Sequence, residues 1–325
     1  MRLIAFILFP LVLFYSCKND VKRQSTLTIF HAGSLSFPMK TIADSFKAEN
    51  PGIAINLEAA GSIECARKIT ELNRQCDIMV LADYRIIDQL LIPKYADWNI
   101  LFAGNEMAIV YTKKSLYANE ISQLNWFEIL MRPNVHFGRS DPNADPCGYR
   151  ALLTLQLAEK YYGKPSLAKD FEIKDNRFVR PKEVDLIALL ETGAIDYIFL
   201  YRSVAVQHGF EFLSLPSEIN LGNPNQANEY SLAHVKVRGS SLGDTLLIVG
   251  EPMVYGITIP QNAPNNALAE NFLKYFLNPE KGLKIIKQMG MPPLNPLIIK
   301  NEDKIETSLK DCLFNIEYKT CTHER

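Results

Sequence analysis

The 325-residue chain has almost no net charge, no low-complexity run and no cluster of metal-binding side chains. Each absence removes a class of function. With 35 Lys and Arg against 36 Asp and Glu, the formal charge is −1, so no global field draws the chain to nucleic acid. Any anion it binds must be held by local dipoles and donors. No Cys-x-x-Cys pair marks a structural metal site, and the five His are scattered and read as structural or exposed residues. Nor is a nucleophile–base–orienter set visible, because Ser34 and His31 alone do not make a triad. The apolar run at the N-terminus, Leu3 to Tyr15, is too short for a comfortable transmembrane helix.

That run follows Arg2 and gives way to Ser16-Cys17 and the polar Lys18-Asn19-Asp20, as a signal h-region does. Leu13-Phe14-Tyr15-Ser16-Cys17 resembles a lipoprotein cleavage box. On that reading residues 1–17 are the signal peptide, Cys17 is the lipidated first residue, and 18–25 form a tether to the membrane. A plain signal peptide with a Cys near its cut is the other reading, and both place the mature protein outside the cytoplasm. Five of the six cysteines then remain, namely Cys65, Cys76, Cys147, Cys312 and Cys321. The compartment permits disulfides, and Cys312 and Cys321 are close enough in sequence to pair.

The length suits two lobes better than one core. Strands Leu27–His31, Ile53–Glu58 and Asp77–Leu81 alternate with helices, and Ile100–Ala103 and Met107–Thr112 continue the series, a rhythm that predicts a parallel, doubly wound sheet. The pattern restarts after Thr112 and runs to Phe212. Residues 213–300 then read as a return to the first unit, with a strand pair around the Gly239–Asp244 turn, a strand at Val254–Ile259 and two helices. The division expected is therefore 26–112 with 213–300 as lobe I, 113–212 as lobe II and 301–325 as a tail. A chain that crosses twice between lobes builds a hinged cleft, which can close on a ligand.

Two strand-to-helix turns end alike, in Ala32-Gly33-Ser34 and Ala60-Gly61-Ser62. Amides in such turns lack intrahelical acceptors, and glycine lets an anion come close. Two neighbouring turns could surround one small anion with N–H donors and two hydroxyls, although plain helix capping by Ser is the commoner role. Lobe II adds Asp145, before Pro146, and Glu183, both in or beside first helical turns. Capping and the helix dipole account for either alone, the latter worth about 0.3–1 kcal/mol. A carboxylate beside a bound oxyanion repels it, unless the central atom accepts more oxygen donors, as hexavalent tungsten and molybdenum do and sulfur and phosphorus do not.

The stretches Phe30-His31-Ala32-Gly33-Ser34-Leu35, Glu58-Ala59-Ala60-Gly61-Ser62, Ala82-Asp83-Tyr84, Asp145-Pro146-Cys147-Gly148-Tyr149-Arg150 and Tyr201-Arg202-Ser203-Val204-Ala205 resemble, in order, the archaeal-type tungstate/molybdate-binding proteins. These are the extracytoplasmic solute-binding components of ABC importers. The resemblance runs from Leu27 to about Pro296. It implies an α/β, type II periplasmic-binding fold and no resident cofactor. It further implies a six-coordinate tungstate or molybdate, with four oxyanion oxygens and one oxygen each from Asp145 and Glu183. Gly33, Ser34, Ser62, Pro146, Cys147 and Tyr201 match the surround of the oxyanion. The partners implied are the permease and, through it, its ATPase; a monomer is expected.

Each residue keeps a plainer reading. Tyr201 could simply place its hydroxyl at a core rim, Cys147 could be a small buried apolar residue, and Asp83, which is not assigned to the ligand, could cap its own helix. Two other functions fit the same layout. One is a sulfate- or phosphate-binding protein of the same fold, whose carboxylates only cap helices. The other is a two-lobe hydrolase using Asp145 and Glu183 as an acid/base pair.

Overall fold

A computed structural model describes residues 25–174, 176–239, 243–306 and 309–310. Cys17, nearly all of the tether, Cys312 and Cys321 lie outside the described residues, as do three positions of the Gly239–Asp244 turn. No helix among the described residues is long and apolar enough to cross a membrane.

Thirteen strands are present among the described residues. They are β1 (Ser25–Ala32), β2 (Ile53–Ala60), β3 (Ile78–Leu81), β4 (Asn99–Gly104), β5 (Met107–Tyr111), β6 (Phe137–Ser140), β7 (Val179–Arg180), β8 (Tyr197–Tyr201), β9 (Glu211–Ser214), β10 (His234–Arg238), β11 (Thr245–Val249), β12 (Val254–Thr258) and β13 (Pro293–Lys300). They form a six-stranded sheet ordered β13-β4-β12-β3-β1-β2, a five-stranded sheet ordered β7-β6-β8-β5-β9, and the separate β10-β11 hairpin. In the first sheet β1 pairs parallel with β2 and β3, while β12 and β13 run against the rest. In the second, β5 alone runs against its neighbours.

The sequence explains the interior. All four side chains of β3, Ile-Met-Val-Leu, are buried, the continuous apolar run of a strand covered on both faces. The Ser36–Glu49 helix turns Pro38, Met39, Ile42, Ala43 and Phe46 inward, at helical spacing. Phe46 then meets Phe272 and Tyr275 edge-on, with centroids 5.1 and 5.3 Å apart. Full burial of each such side chain is worth about 1.5–3 kcal/mol. Those contacts fasten the Asn266–Phe276 helix to the Ser36–Glu49 helix, and Phe276 meets Phe102 of β4 edge-on at 5.0 Å.

Three details differ from the sequence reading. β5 belongs to the second sheet, so the outward crossing falls at Asn105–Glu106, not at Thr112. β9 is also in the second sheet, so the return comes after Ser214. Strand periodicity shows that a strand exists but not which sheet accepts it, and a two-residue link gives no warning of a change of sheet. Finally, the spacing of Ile63, Ala66, Ile69 and Leu72 predicts a helix through Leu72, whereas the Ser62–Thr70 helix stops before it and leaves its side chain exposed.

Candidate functional site

Two turns from the first sheet and two helix starts from the second lobe meet between the sheets. Ser34 lies in the Gly33–Leu35 turn after β1, and Ser62 opens the helix after β2. Asp145 caps the Pro146–Tyr161 helix, Glu183 opens a short helical turn after β7, and Tyr201 closes β8. Ser34, Ser62, Asp145, Cys147, Glu183 and Tyr201 are all buried.

The two carboxylates come together as the resemblance implies, but their states differ. Asp145 Oδ1 accepts from the Cys147 N–H at 3.3 Å and Oδ2 from the Glu183 N–H at 2.9 Å. Its capping role is therefore real, and it orients the Glu183 backbone as well. The Cys147 amide, expected to face the oxyanion, is here engaged by Asp145. Pro146 has no N–H to donate and serves as the first helical residue. Glu183 is different. Neither of its carboxylate oxygens has a hydrogen-bond partner among the described residues, although its side chain is buried. Burial, and then the Asp145 charge, push its carboxyl well above the ordinary range, while the nearby Ser34 and Glu183 amides work the other way.

Close approach explains both glycines. A Cβ at Gly33 would stand 3.1 Å from Glu183 Oε1, and one at Gly61 would fall 2.3 Å from the Ala144 carbonyl oxygen. Both are contacts between the lobes, and they show the cleft closed. The seam carries further bonds: Glu64 N–H to Ala144 O at 3.3 Å, and Arg67 Nη1 to Asn143 O at 2.9 Å. Arg67 also reaches the hairpin, donating to Arg238 O at 3.0 Å, while Gln156 of the second lobe donates to His234 O at 3.1 Å. The β10-β11 hairpin thus touches both sides of the cleft.

Sequence reasoning missed the supports. Arg150 sits in the Pro146–Tyr161 helix of the second lobe and reaches into the first. Its Nη1 donates to Ala82 O at 2.7 Å and to the Tyr201 hydroxyl at 3.0 Å, and its Nη2 lies 3.3 Å from Asp83 Oδ2. Asp83 also accepts from Tyr149 OH at 2.6 Å and from Arg85. It does cap its own helix, through the Arg85 N–H at 2.9 Å. Burial of Asp83 favours its neutral form, but the Arg85 and Arg150 guanidiniums prevail and hold its carboxyl far below the usual range. His31 stays neutral for the opposite reason: burial lowers it to about 4, and its Nδ1–H donates to Ala32 O at 2.9 Å. It therefore brings no charge to the site.

The arrangement gathers buried hydroxyls, the Gly33–Ser34 turn and two acidic side chains where the two sheets meet, with Asp145 engaged by amides and Glu183 unpartnered among the described residues. Among the described residues no group of three or more His, Cys, Asp and Glu side chains could hold a free metal ion.

Comparison with known proteins identifies the family and the fold. The family described as bacterial extracellular solute-binding protein matches residues 27–292. The molybdate/tungstate-binding protein WtpA of Thermococcus kodakarensis is 42% identical over 305 residues, covering 86% of this chain and 85% of its own. Among solved structures, the periplasmic molybdate-binding protein of Azotobacter vinelandii superposes with a TM-score of 0.59 at 15% identity, over 82% of this chain and 98% of that one. The sulfate-binding protein SubI of Mycobacterium tuberculosis does so equally well, with a TM-score of 0.59 at 14% identity over 84% and 88%. Identities this low speak for the type II periplasmic-binding fold and not for the cargo.

Proposed function

The chain belongs to the family of bacterial extracellular solute-binding proteins, and from that premise we propose that its cargo is tungstate or molybdate, delivered to the permease of an ABC importer. The family fixes the coarser statement: this is a solute-binding transport component, extracytoplasmic and not an enzyme. The type II fold is shared by binders of sulfate and of molybdate, so fold cannot choose the cargo.

The observation that supports the choice is Glu183. A buried carboxyl whose oxygens find no hydrogen-bond partner among the described residues is rare in native proteins, and ionising it there costs several kcal/mol. A sulfate ion beside it adds repulsion. A tungstate or molybdate centre instead takes its oxygen, and one from Asp145, as fifth and sixth ligands, so the charge becomes the attraction. Ser34, Ser62 and Tyr201 donate to the oxyanion oxygens, with the Gly33 and Ser34 amides beside them. Relatives named for molybdate and tungstate support the same reading.

Calorimetric titration with tungstate, molybdate, sulfate and phosphate in parallel tests it. Tungstate and molybdate are expected to bind at least about 10³-fold more tightly than sulfate, the counterpart of about 4 kcal/mol. Equal affinities across the four anions would rule the six-coordinate cargo out.

We also propose that Cys17 carries a lipid anchor, on the strength of its place where the apolar Leu3–Tyr15 run ends. Cys17→Ala is expected to shift the protein from the membrane fraction to the soluble one or to leave the precursor uncut. Unchanged fractionation and processing would leave a plain signal peptide.

A further inference from the structure

Asn105 is the first residue of the two-residue crossing between the sheets, remote in sequence from every residue assigned to the oxyanion. It is buried, and all four of its amide hydrogen-bonding positions are used. Its Oδ1 accepts from the Glu106 N–H at 2.9 Å and the Ser203 N–H at 3.4 Å. Those two backbone donors fix which end of the amide is oxygen. Nδ2 must then donate, to Ser203 Oγ at 2.7 Å and to the Tyr255 hydroxyl at 2.9 Å.

The direction propagates. Tyr255 accepts from Asn105, so its single proton goes to Ser34 Oγ, 3.1 Å away. Ser34, with that lone pair filled, has its own proton left to donate elsewhere. The same logic holds at the other two hydroxyls. Arg150 can only donate to Tyr201, and the Ala82 N–H donates to Ser62 Oγ at 3.0 Å. Each of the three hydroxyls thus accepts one bond from the protein and keeps its proton to donate.

We propose that Asn105 is a positioning residue of the oxyanion site, which through Tyr255 holds the Ser34 hydroxyl as a donor toward the bound anion. The inference rests on the reading of Ser34 as an oxyanion donor. It makes the site's polarity depend on a residue at the change of sheet that touches no ligand. It also assigns Tyr255, on β12, the role of relay rather than core filler. A hydroxyl locked as donor suits an oxyanion that carries no proton, and it loses nothing by turning, since its acceptor side is occupied in advance.

The near-isosteric Asn105→Asp reverses the relay. Its second oxygen accepts from Tyr255, Tyr255 then accepts from Ser34, and the Ser34 proton is withdrawn from the anion. Tungstate titrations of the wild type, Asn105→Asp, Ser34→Ala and the double variant form a cycle. Each single variant is expected to weaken binding about 10–100-fold, and Asn105→Asp is expected to add less than about threefold in the Ser34→Ala background. A merely structural role for Asn105 would give a loss that persists undiminished without the Ser34 hydroxyl, and that outcome overturns the proposal. So does an Asn105→Asp affinity equal to wild type. If Asn105→Asp does not fold, Tyr255→Phe takes its place in the cycle, with the same dependence on Ser34 expected. If the wild type takes sulfate and not tungstate, the cargo reading falls by itself, and the same cycle run with sulfate decides the role of Asn105.

Discussion

Glu183→Gln is expected to lose tungstate binding by about 10²–10³-fold while stabilising the ligand-free protein. The loss follows from removing one of two anionic ligands, worth about 3–5 kcal/mol when a buried charge and its partner are separated. Sulfate binding is expected to stay the same or tighten, because for that ion the carboxylate is only a repeller. The gain in stability follows from the raised carboxyl. A carboxyl whose folded pKa lies above its unfolded value favours the folded state fully below the ordinary carboxylate range. That contribution is lost as pH rises through the raised folded value. Above the ordinary carboxylate range the ligand-free protein therefore carries a cost that grows with pH, and the neutral amide removes it, by about 1–3 kcal/mol. From sequence, where Glu183 is one more first-turn acid, such a change should leave stability nearly unmoved; the unpartnered oxygens reverse that expectation. Melting curves without ligand and titrations with both anions check the two halves. A variant that keeps its preference for tungstate over sulfate would sink the six-coordinate centre.

Arg150→Met should act without regard to the anion. Arg150 crosses from the second lobe to Ala82 and Asp83 of the first and locks the Tyr201 hydroxyl. Removing it leaves the Ala82 carbonyl without that donor and deprives the closed form of its buried inter-lobe cation. Tungstate and sulfate are expected to weaken by the same factor, about 10²–10³. The wild type should contract in small-angle scattering on saturation with tungstate, and the variant should contract less at equal occupancy. Full contraction with affinity near wild type would show that the Asp83–Arg150 pair is incidental to closure.

The local signals were readable in the chain. Two Gly-Ser turns after apolar strands, a helix with inward Met39, Ile42 and Phe46, and an Asp-Pro helix start each have a period or a punctuation mark. The fold class followed from their alternation. What was not readable is pairing at long range. Arg150 is named in a motif, but its partner Asp83 lies 67 positions away in the numbering (150 − 83). No spacing within one element betrays such a pair. Asn105 carries even less signal, one of two polar residues, with Glu106, between two apolar strands. β5 failed for a related reason, since membership of a sheet is decided by the partner strand's position. Glu183 was legible as a first-turn acid, and only resemblance singled it out from Asp185, which is half-buried two residues on. Burial without a partner is a property of the folded molecule alone.

The seam bonds between Glu64 and Ala144 and between Arg67 and Asn143 also govern timing. On the proposed function, an anion enclosed behind them would leave only when the seam parts. The lifetime of the complex is then a clock set by opening frequency, which each contact that holds the closed form lowers. Loading meets the open form and escapes that delay, so capture and retention are tuned separately. Anything that grips both halves from outside and spreads them resets the clock, unloading the cargo without offering it a stronger ligand.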